Sequence, residues 1–225
     1  MDRNQKFVVT INRELGSGGR TVGRLLAEKL GVEFFDKAHV RAIEEKFNLT
    51  IDEIERLKGK KDSWWADFMR VGSIGHGISY TPYERWKDGP QEPTTENVFK
   101  AEKEILLGIA EEDSCVIAGR LGFSVFKNHP NHFSIFIQAS MPYRLERVMR
   151  KQGLSEADAK NVIEKVDKMR EEYVKKFSGT SRYDTRNYNL VISMDGKTEE
   201  QVVDIILKTI GYLSSFSRLA DNTRF

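Results

Sequence analysis

A glycine-rich loop near the start of the chain carries the residues best suited to binding an anion. It follows an apolar run at residues 7–11, which is typical of a short buried strand, and it precedes residues 22–30, whose apolar side chains recur at helical spacing. Glycine lets a phosphate approach the backbone closely, and the first N–H groups of a helix have no partner within it. The pattern predicts a phosphate site formed by Gly16, Ser17, Gly18, Gly19, Arg20 and Thr21.

Two phosphate-binding motifs resemble this loop, and neither matches completely. The dinucleotide-binding motif G-x-G-x-x-G is followed about twenty positions later by an acidic residue. Asp36 stands near that distance, but Thr21 replaces the third glycine. The P-loop motif G-x-x-x-x-G-K-[ST] suits the longer gap between the strand and Gly16, but either Gly19 or Arg20 replaces its lysine. In the second alignment Thr21 takes the position that binds Mg²⁺. A plain turn between a strand and a helix stays a third interpretation.

Arginines form the second group of residues suited to phosphate. Arg144, Arg147 and Arg150 are three positions apart, so they lie close to one face of a predicted helix. The next predicted helix carries Asp167 and Arg170. Neighbouring cations repel each other unless an anion or a carboxylate lies among them, and guanidinium groups bind phosphoryl oxygens through paired hydrogen bonds. The alternative is a solvated helical hairpin held together by surface ion pairs.

Five short apolar segments alternate with predicted helices along the chain. This order is typical of a parallel sheet covered by helices on both faces, with ligands at the carboxyl ends of the strands. Arg13, Asp36, Arg120 and Gln138 each follow a predicted strand, so we expect them near that edge. The predicted strands are residues 7–11, 32–35, 114–118, 133–137 and 190–193, and the longer helices are residues 22–30, 38–47, 95–110, 155–177 and 198–212.

Two segments depart from this alternation. Residues 58–93 are rich in glycine, proline and aromatic side chains, among them Trp64 and Trp86, and they predict an inserted lobe or lid. Its aromatic rings would stack on a nucleobase, pack into a small core of their own or form a dimer contact. Residues 214–225 are polar and predict an irregular tail that is mobile or touches a partner.

The composition excludes several classes of site and partner. The 225 residues include 36 Lys and Arg against 34 Asp and Glu, so a net charge of +2 gives no reason to expect nucleic acid as a partner. Cys115 is the only cysteine, which excludes an intramolecular disulfide and a cysteine-based metal cluster. Because no apolar run reaches membrane-spanning length and no signal peptide is visible, we expect a cytoplasmic protein without membrane contact. The composition leaves the oligomeric state open.

Taken in order, the motifs resemble those of bacterial cytidylate kinase, and more closely those of the cytidylate-kinase-like group whose glycine loop also lacks the lysine. The resemblance covers about residues 7–210. Besides the glycine loop, the matching segments are residues 21–31, residues 34–36 (Phe-Phe-Asp), 116–120 (Val-Ile-Ala-Gly-Arg), 136–140 (Phe-Ile-Gln-Ala-Ser) with Arg144 and Arg147 after it, 167–170 (Asp-Lys-Met-Arg) and 188–192 (Tyr-Asn-Leu-Val-Ile).

The resemblance implies a P-loop kinase fold of the α/β class, with three α/β/α layers and a five-stranded parallel sheet. It implies one kinase-like domain over residues 1–225, ATP as the phosphoryl donor, Mg²⁺ as the cofactor and nucleotides as the substrates. The implied parts are a core at about residues 1–35, 100–143 and 187–213, an acceptor-binding insert at 36–99, a helical lid at 144–186 and a tail at 214–225.

The resemblance also implies roles for the candidate residues. Residues 16–21 would hold the donor triphosphate, with Thr21 as a ligand of Mg²⁺. The acceptor would be bound by Asp36, Arg120 and Asp167. The charge of the transition state would be stabilised by Arg20, Arg144, Arg147 and Arg170.

Three positions depart from the family pattern. The lysine is absent from the loop, Leu121 replaces the aspartate of a Gly-Arg-Asp element, and Ile163 stands where a further lid arginine is expected.

Three functions stay open. The first function is an ATP-dependent kinase acting on a nucleoside monophosphate or another small phosphorylated acceptor. The second is a non-catalytic nucleotide-binding protein derived from such a kinase. The third is a dinucleotide-dependent oxidoreductase in which Asp36 holds a ribose.

Overall fold

The computed structural model describes residues 1–37, 39–40 and 96–221. Its five strands form one sheet in the order β2-β3-β1-β4-β5, and all neighbouring strands are parallel. The predicted fold class and the five predicted strands are confirmed. The strands are β1 (Val8–Arg13), β2 (Glu33–Asp36), β3 (Cys115–Ala118), β4 (His132–Gln138) and β5 (Leu190–Ser193). The helices are α1 (Gly19–Leu30), α2 (Glu96–Glu112), α3 (Gly122–Val125), α4 (Met141–Gln152), α5 (Glu156–Ser178) and α6 (Glu199–Asp221).

The register of the strands places the predicted strand-end residues along one edge of the sheet. Arg13 at the end of β1 pairs with Ile137 of β4, and Asp36 at the end of β2 pairs with Ala118 of β3. Because β1 is the central strand, the glycine loop that follows it opens at the middle of this edge.

Helices cover both faces of the sheet. Successive residues of a strand point to opposite faces, so Val9 packs with α1 and α6 while its neighbour Val8 packs with α2. The first face buries Val9, Ile11, Leu26, Ile135, Ile137, Val203 and Ile206, and the second buries Val8, Ile105, Leu106, Ile109, Ile117 and Phe126.

Helices α4 and α5 form the arginine-rich pair predicted from the sequence. Ser155, the first residue of the helix predicted at 155–177, is the N-cap of α5 and accepts a hydrogen bond from the Asp158 N–H, and the C-cap is Gly179, whose φ of 70° is left-handed. Val148 of α4 and Ile163 of α5 share a buried cluster with Leu15 of the glycine loop. The hydrophobic effect therefore fixes this helix pair directly against the loop.

One prediction about secondary structure was wrong. The last helix does not end at Tyr212 but continues as α6 to Asp221, through residues 214–221 that were predicted to be irregular. Neither glycine nor proline interrupts the chain between Tyr212 and Asp221, and Leu213, Phe216 and Leu219 recur three positions apart. That periodicity indicates a helix despite the serines between these residues.

Several predictions concern residues outside the described ranges. Most of the helix predicted at residues 38–47, the aromatic insert around Trp64 and Trp86, and residues 222–225 are among them. The boundaries of the core, insert, lid and tail stay predictions. Among the described residues, no helix combines the length and the apolar composition needed to cross a membrane.

Candidate functional site

The loop between β1 and α1 owes its path to two left-handed glycines. Gly16 has a φ of 83° and Gly18 a φ of 86°, a conformation that costs other residues about 1–2 kcal/mol. Gly18 is the N-cap of α1, and Gly19 is the first helical residue. Since the P-loop lysine follows the last glycine of the loop, this geometry favours the alignment with Gly19 in the lysine position. The first turn of α1 points its N–H groups into the loop, where they can bind an anion.

Arg144 and Asp167 hold this loop from the side of the lid. Arg144 Nε donates to the Leu15 carbonyl at 2.8 Å, and the Leu15 N–H donates to Asp167 Oδ1 at 3.0 Å. Arg144 also forms a salt bridge with Asp167, and its Nη1 lies 3.3 Å from Glu14 Oε1. Both side chains are buried. In this conformation the predicted catalytic Arg144 and the predicted acceptor ligand Asp167 position the loop backbone.

Arg147 contacts the hydroxyl that was predicted to bind Mg²⁺. Its Nη2 donates to Thr21 Oγ1 at 3.1 Å, and its Nη1 lies 2.7 Å from Glu199 Oε1. A guanidinium group at this position repels a divalent cation. Among the described residues, no group of three or more His, Cys, Asp or Glu could hold a metal. The residues around Thr21 do not fit a protein-held magnesium ion in this conformation, and its role as a metal ligand stays a prediction.

Two arginines, one in α5 and one just after it, contact the last residue of β1. Arg170 Nη1 of α5 donates to the Arg13 carbonyl at 3.2 Å, and Arg182, which follows α5, donates to the same carbonyl. Arg182 is almost fully buried, and its guanidinium lies 5.7 Å from the centre of the Phe136 ring. The backbone oxygen accepts the hydrogen bonds that two guanidinium groups could otherwise donate to phosphate.

Arg20 points along the edge of the sheet to the end of β2. Its Nε donates to Asp36 Oδ2 at 2.5 Å, and Nδ1 of His39 lies 3.0 Å from Asp36 Oδ1. Burial alone would raise the pKa of Asp36, but the His39 hydrogen bond and the charge of Arg20 hold that pKa well below its usual range. The predicted donor-side residue Arg20 and the predicted acceptor-side residue Asp36 are therefore directly paired.

Arg120 lies at the end of β3, in a turn with unusual backbone geometry. Gly119, Arg120 and Leu121 have φ angles of 88°, 51° and 60°, so two residues other than glycine are left-handed. Such a conformation persists only where the surrounding structure holds it, and it is common at functional sites. Arg120 forms a buried salt bridge with Glu102 of α2, and Glu102 accepts a hydrogen bond of 3.0 Å from the Tyr173 hydroxyl of α5.

The structure brings most of the predicted site residues to one place. The six loop residues, Arg144, Arg147, Asp167 and Arg170 surround the start of α1, while Asp36 and Arg120 lie at the neighbouring strand ends. Arg150 is exposed and is not part of this group. Arg13, which was expected at this edge but was given no role, and Arg182, which the sequence did not indicate, also lie at the loop. The strand-end position of Arg13 was a usable signal, whereas Arg182 follows a helix in a polar segment without any motif.

Two relatives were found among characterised proteins. A cytidylate kinase of Sulfolobus acidocaldarius is 22% identical over 213 residues, covering 94% of this chain and 98% of that protein. A uronate isomerase of Corynebacterium glutamicum is 36% identical over 100 residues, or 44% of this chain. The chain spans only 19% of the length of that isomerase.

Solved structures share the fold. An uncharacterized protein from Eubacterium ventriosum has a TM-score of 0.65 and 22% identity, with 92% of this chain and 99% of that chain covered. A gluconokinase from Sinorhizobium meliloti has a TM-score of 0.51 and 14% identity, with 98% and 100% covered. At these identities the similarity shows the fold alone.

The sequence profile of the cytidylate kinase-like family matches residues 8–196. This range includes the glycine loop, the Gly119 turn and helices α4 and α5. The match favours the P-loop interpretation of the glycine loop over the dinucleotide-binding interpretation. From the profile match, the motif order and the parallel sheet, we conclude that the chain belongs to the cytidylate kinase-like family.

Proposed function

We propose that this protein transfers a phosphoryl group from ATP to a small phosphorylated acceptor, and that the acceptor is a nucleoside monophosphate. The observation that carries the proposal is the contact between the lid and the loop. Arg170 and Arg182 both donate to the Arg13 carbonyl, so cations from one part of the chain lie directly over a loop suited to phosphate. Family membership supports the same reaction class.

The proposed roles divide between contact with phosphate and support of the loop. Residues 16–21 bind the donor triphosphate, and Arg20 and Arg170 stabilise charge on the transferring group. Arg144 and Arg147 keep the loop and the start of α1 in place through Leu15 and Thr21. Acceptor binding falls to Asp36, Arg120 and Asp167.

Such a reaction asks little covalent chemistry of the protein. An oxygen of the acceptor phosphate attacks the terminal phosphorus of Mg·ATP while the bond to the ADP oxygen breaks. The side chains position two anions, balance their charge and exclude water. Asp167 and Arg170 must then exchange partners, because in this conformation they are bonded to the backbone of Leu15 and Arg13.

The test is phosphoryl transfer by the purified protein. Mg·ATP is supplied with a panel of nucleoside monophosphates and small phosphorylated compounds, and ADP and the phosphorylated product are measured. We expect Arg170→Ala to lower turnover by about 10³-fold, the effect of removing an arginine from a phosphoryl-transfer site. Arg186→Ala is the matched control, because Arg186 is 88% exposed and pairs only with nearby Asp184 among the described residues. Equal turnover in the two variants would contradict the proposal.

One observation favours a second function, nucleotide binding without transfer. Gly19 stands in the lysine position at the first residue of α1, so the loop offers no side-chain cation there. A non-catalytic descendant of the family would bind ATP with a measurable affinity and release no ADP with any acceptor in the panel. Binding measured beside turnover therefore separates the two functions.

A further inference from the structure

The side chain of Arg13 occupies the space beside the lysine position of the loop. A Cβ atom placed on Gly19 would lie 2.6 Å from Cβ and 3.0 Å from Cγ of Arg13. A Cβ on Gly119 would collide with Nη1 of Arg13. The side chain therefore runs from the end of β1, past the first residue of α1, to the strained turn after β3. Glycine at both positions leaves room for it.

The guanidinium group of Arg13 lies among other cations. Burial lowers the pKa of Arg13 well below its usual value, and the charges of Arg170, Arg182 and Arg20 lower it further. Asp36 acts in the opposite direction, but this carboxylate is already bonded to Arg20. Within the described part of the chain, the hydrogen bonds of Arg13 to other side chains involve its carbonyl and not its guanidinium.

Arg13 is partly exposed, but its desolvation still makes a cation without a paired anion costly. Within the described residues, Asp36 pairs with Arg20, and Asp167 pairs with Arg170 and Arg182, so a further negative charge beside Arg13 would be favourable. The N–H groups at the start of α1 add further positive charge, because they carry the positive end of the helix dipole. A planar guanidinium presents two parallel N–H donors that match two oxygens of a phosphate. The missing charge is therefore best supplied by a polyphosphate.

We propose that Arg13 supplies the phosphate-binding cation that the lysine supplies in other P-loops, and that it binds the phosphoryl group in transit. This proposal rests on the proposed function and deepens it. Arg13 belongs to β1, which carries the donor loop, and its guanidinium ends at Gly119 in the turn after β3, beside acceptor residue Arg120. It therefore spans the boundary between the two substrates. Throughout the transfer Arg13 keeps its protons and contributes charge alone.

The test compares Arg13→Gln and Arg13→Lys with wild-type protein by calorimetric titration with inorganic tripolyphosphate, without an acceptor. We expect Arg13→Gln to weaken binding by about 10- to 100-fold, the range for a hydrogen bond to a charged group. Arg13→Lys should keep most of the affinity, because it keeps the charge. Arg186→Gln removes an exposed arginine and is the matched control, with unchanged affinity.

Thermal unfolding without ligand separates ligand binding from a structural role. We expect Arg13→Gln to unfold at the same temperature as wild type or higher, because it removes a desolvated cation from among Arg20, Arg170 and Arg182. A structural role predicts a lower unfolding temperature. The proposal would be overturned if Arg13→Gln bound tripolyphosphate as tightly as wild type, or if wild type did not bind it. It would also be overturned if Arg13→Gln bound more weakly and unfolded at a clearly lower temperature.

The same experiments distinguish this proposal from the proposed function. Tripolyphosphate binding that depends on Arg13, in a protein that transfers no phosphate to any acceptor, would leave the Arg13 site standing and refute the kinase. Transfer that is equally fast in wild type and Arg13→Gln would leave the kinase standing and refute the role of Arg13.

Discussion

At the scale of single residues, the arginines of the site are already bonded to groups of the chain itself. Arg144 binds the Leu15 carbonyl and Asp167, whereas Arg170 and Arg182 bind the Arg13 carbonyl. Burial sets Arg170 apart from the other two, since the side chains of Arg144 and Arg182 are 7% and 2% exposed and that of Arg170 is 30% exposed. Ligand binding is then an exchange of partners, and the half-buried Arg170 is better placed for it than Arg144.

Asp167 provides a test of this division, because it joins the loop to both arginine groups. Asp167→Asn keeps the shape of the side chain but removes its charge next to buried Arg144 and Arg182. Removing one partner of a buried ion pair typically costs 3–5 kcal/mol, so we expect the free energy of unfolding to fall by about 3 kcal/mol. Urea unfolding of the ligand-free protein measures it.

Asp184→Asn is the matched control for this measurement. Asp184 pairs with Arg186 at the surface, where solvent screens an ion pair and its contribution to stability is small. Equal losses of stability in the two variants would show that Asp167 does not brace the loop.

At the scale of elements, sequence periodicity was sufficient for the sheet and for most helices, because apolar spacing is local information. β1 and α5 were predicted within two residues of their observed bounds, and α1 begins three residues before its predicted start. Contacts between side chains that are distant in sequence could not be predicted from periodicity. Arg182 meets the Arg13 carbonyl across 169 positions of the chain, and no spacing rule connects them. The same holds for Arg147 and Thr21, which are 126 positions apart.

The contact between the glycine loop and α4 can be tested at Gly16. A Cβ at this residue would lie 2.9 Å from the carbonyl oxygen of Arg144 and 3.1 Å from its Cα, both backbone atoms of α4. Gly16→Ala must therefore move the helix or the loop, in addition to straining a φ of 83°. We expect a loss of about 3 kcal/mol in the free energy of unfolding, to which the left-handed backbone contributes about 1–2 kcal/mol.

Gly153→Ala separates the two contributions to this loss. Gly153 ends α4 with a φ of 65°, and a Cβ there would meet nothing within 4 Å. Its substitution therefore carries the backbone cost alone. If chemical denaturation gave the same loss for both variants, the loop would have no tight contact with α4.

At the scale of the whole molecule, positive charge is concentrated at one edge of the sheet, although the chain as a whole is nearly neutral. The net charge is only +2, yet Arg13, Arg20, Arg170 and Arg182 meet at the carboxyl edge of one sheet. Parallel strands make this possible, because β1, β2 and β3 all end at the same edge. The mutual repulsion of these cations lowers the stability of the ligand-free protein, and an anion that binds among them relieves it.

Polyphosphate ligands should therefore stabilise the entire fold. A ligand at 100 times its dissociation constant adds about 2.7 kcal/mol to the free energy of unfolding, which corresponds to a rise of about 5–10 °C in the unfolding temperature of a chain of this size. We expect Mg·ATP to produce this shift in a thermal unfolding assay. Adenosine carries no phosphate and should produce almost no shift, and sodium chloride at equal ionic strength controls for screening.

The same assay tests the arginines themselves. Because the shift depends on cations of α5 that meet the loop, Arg170→Ala should reduce it, while Arg186→Ala should keep it. An equal shift with adenosine and with ATP would place the binding energy in the base and not in the arginine cluster.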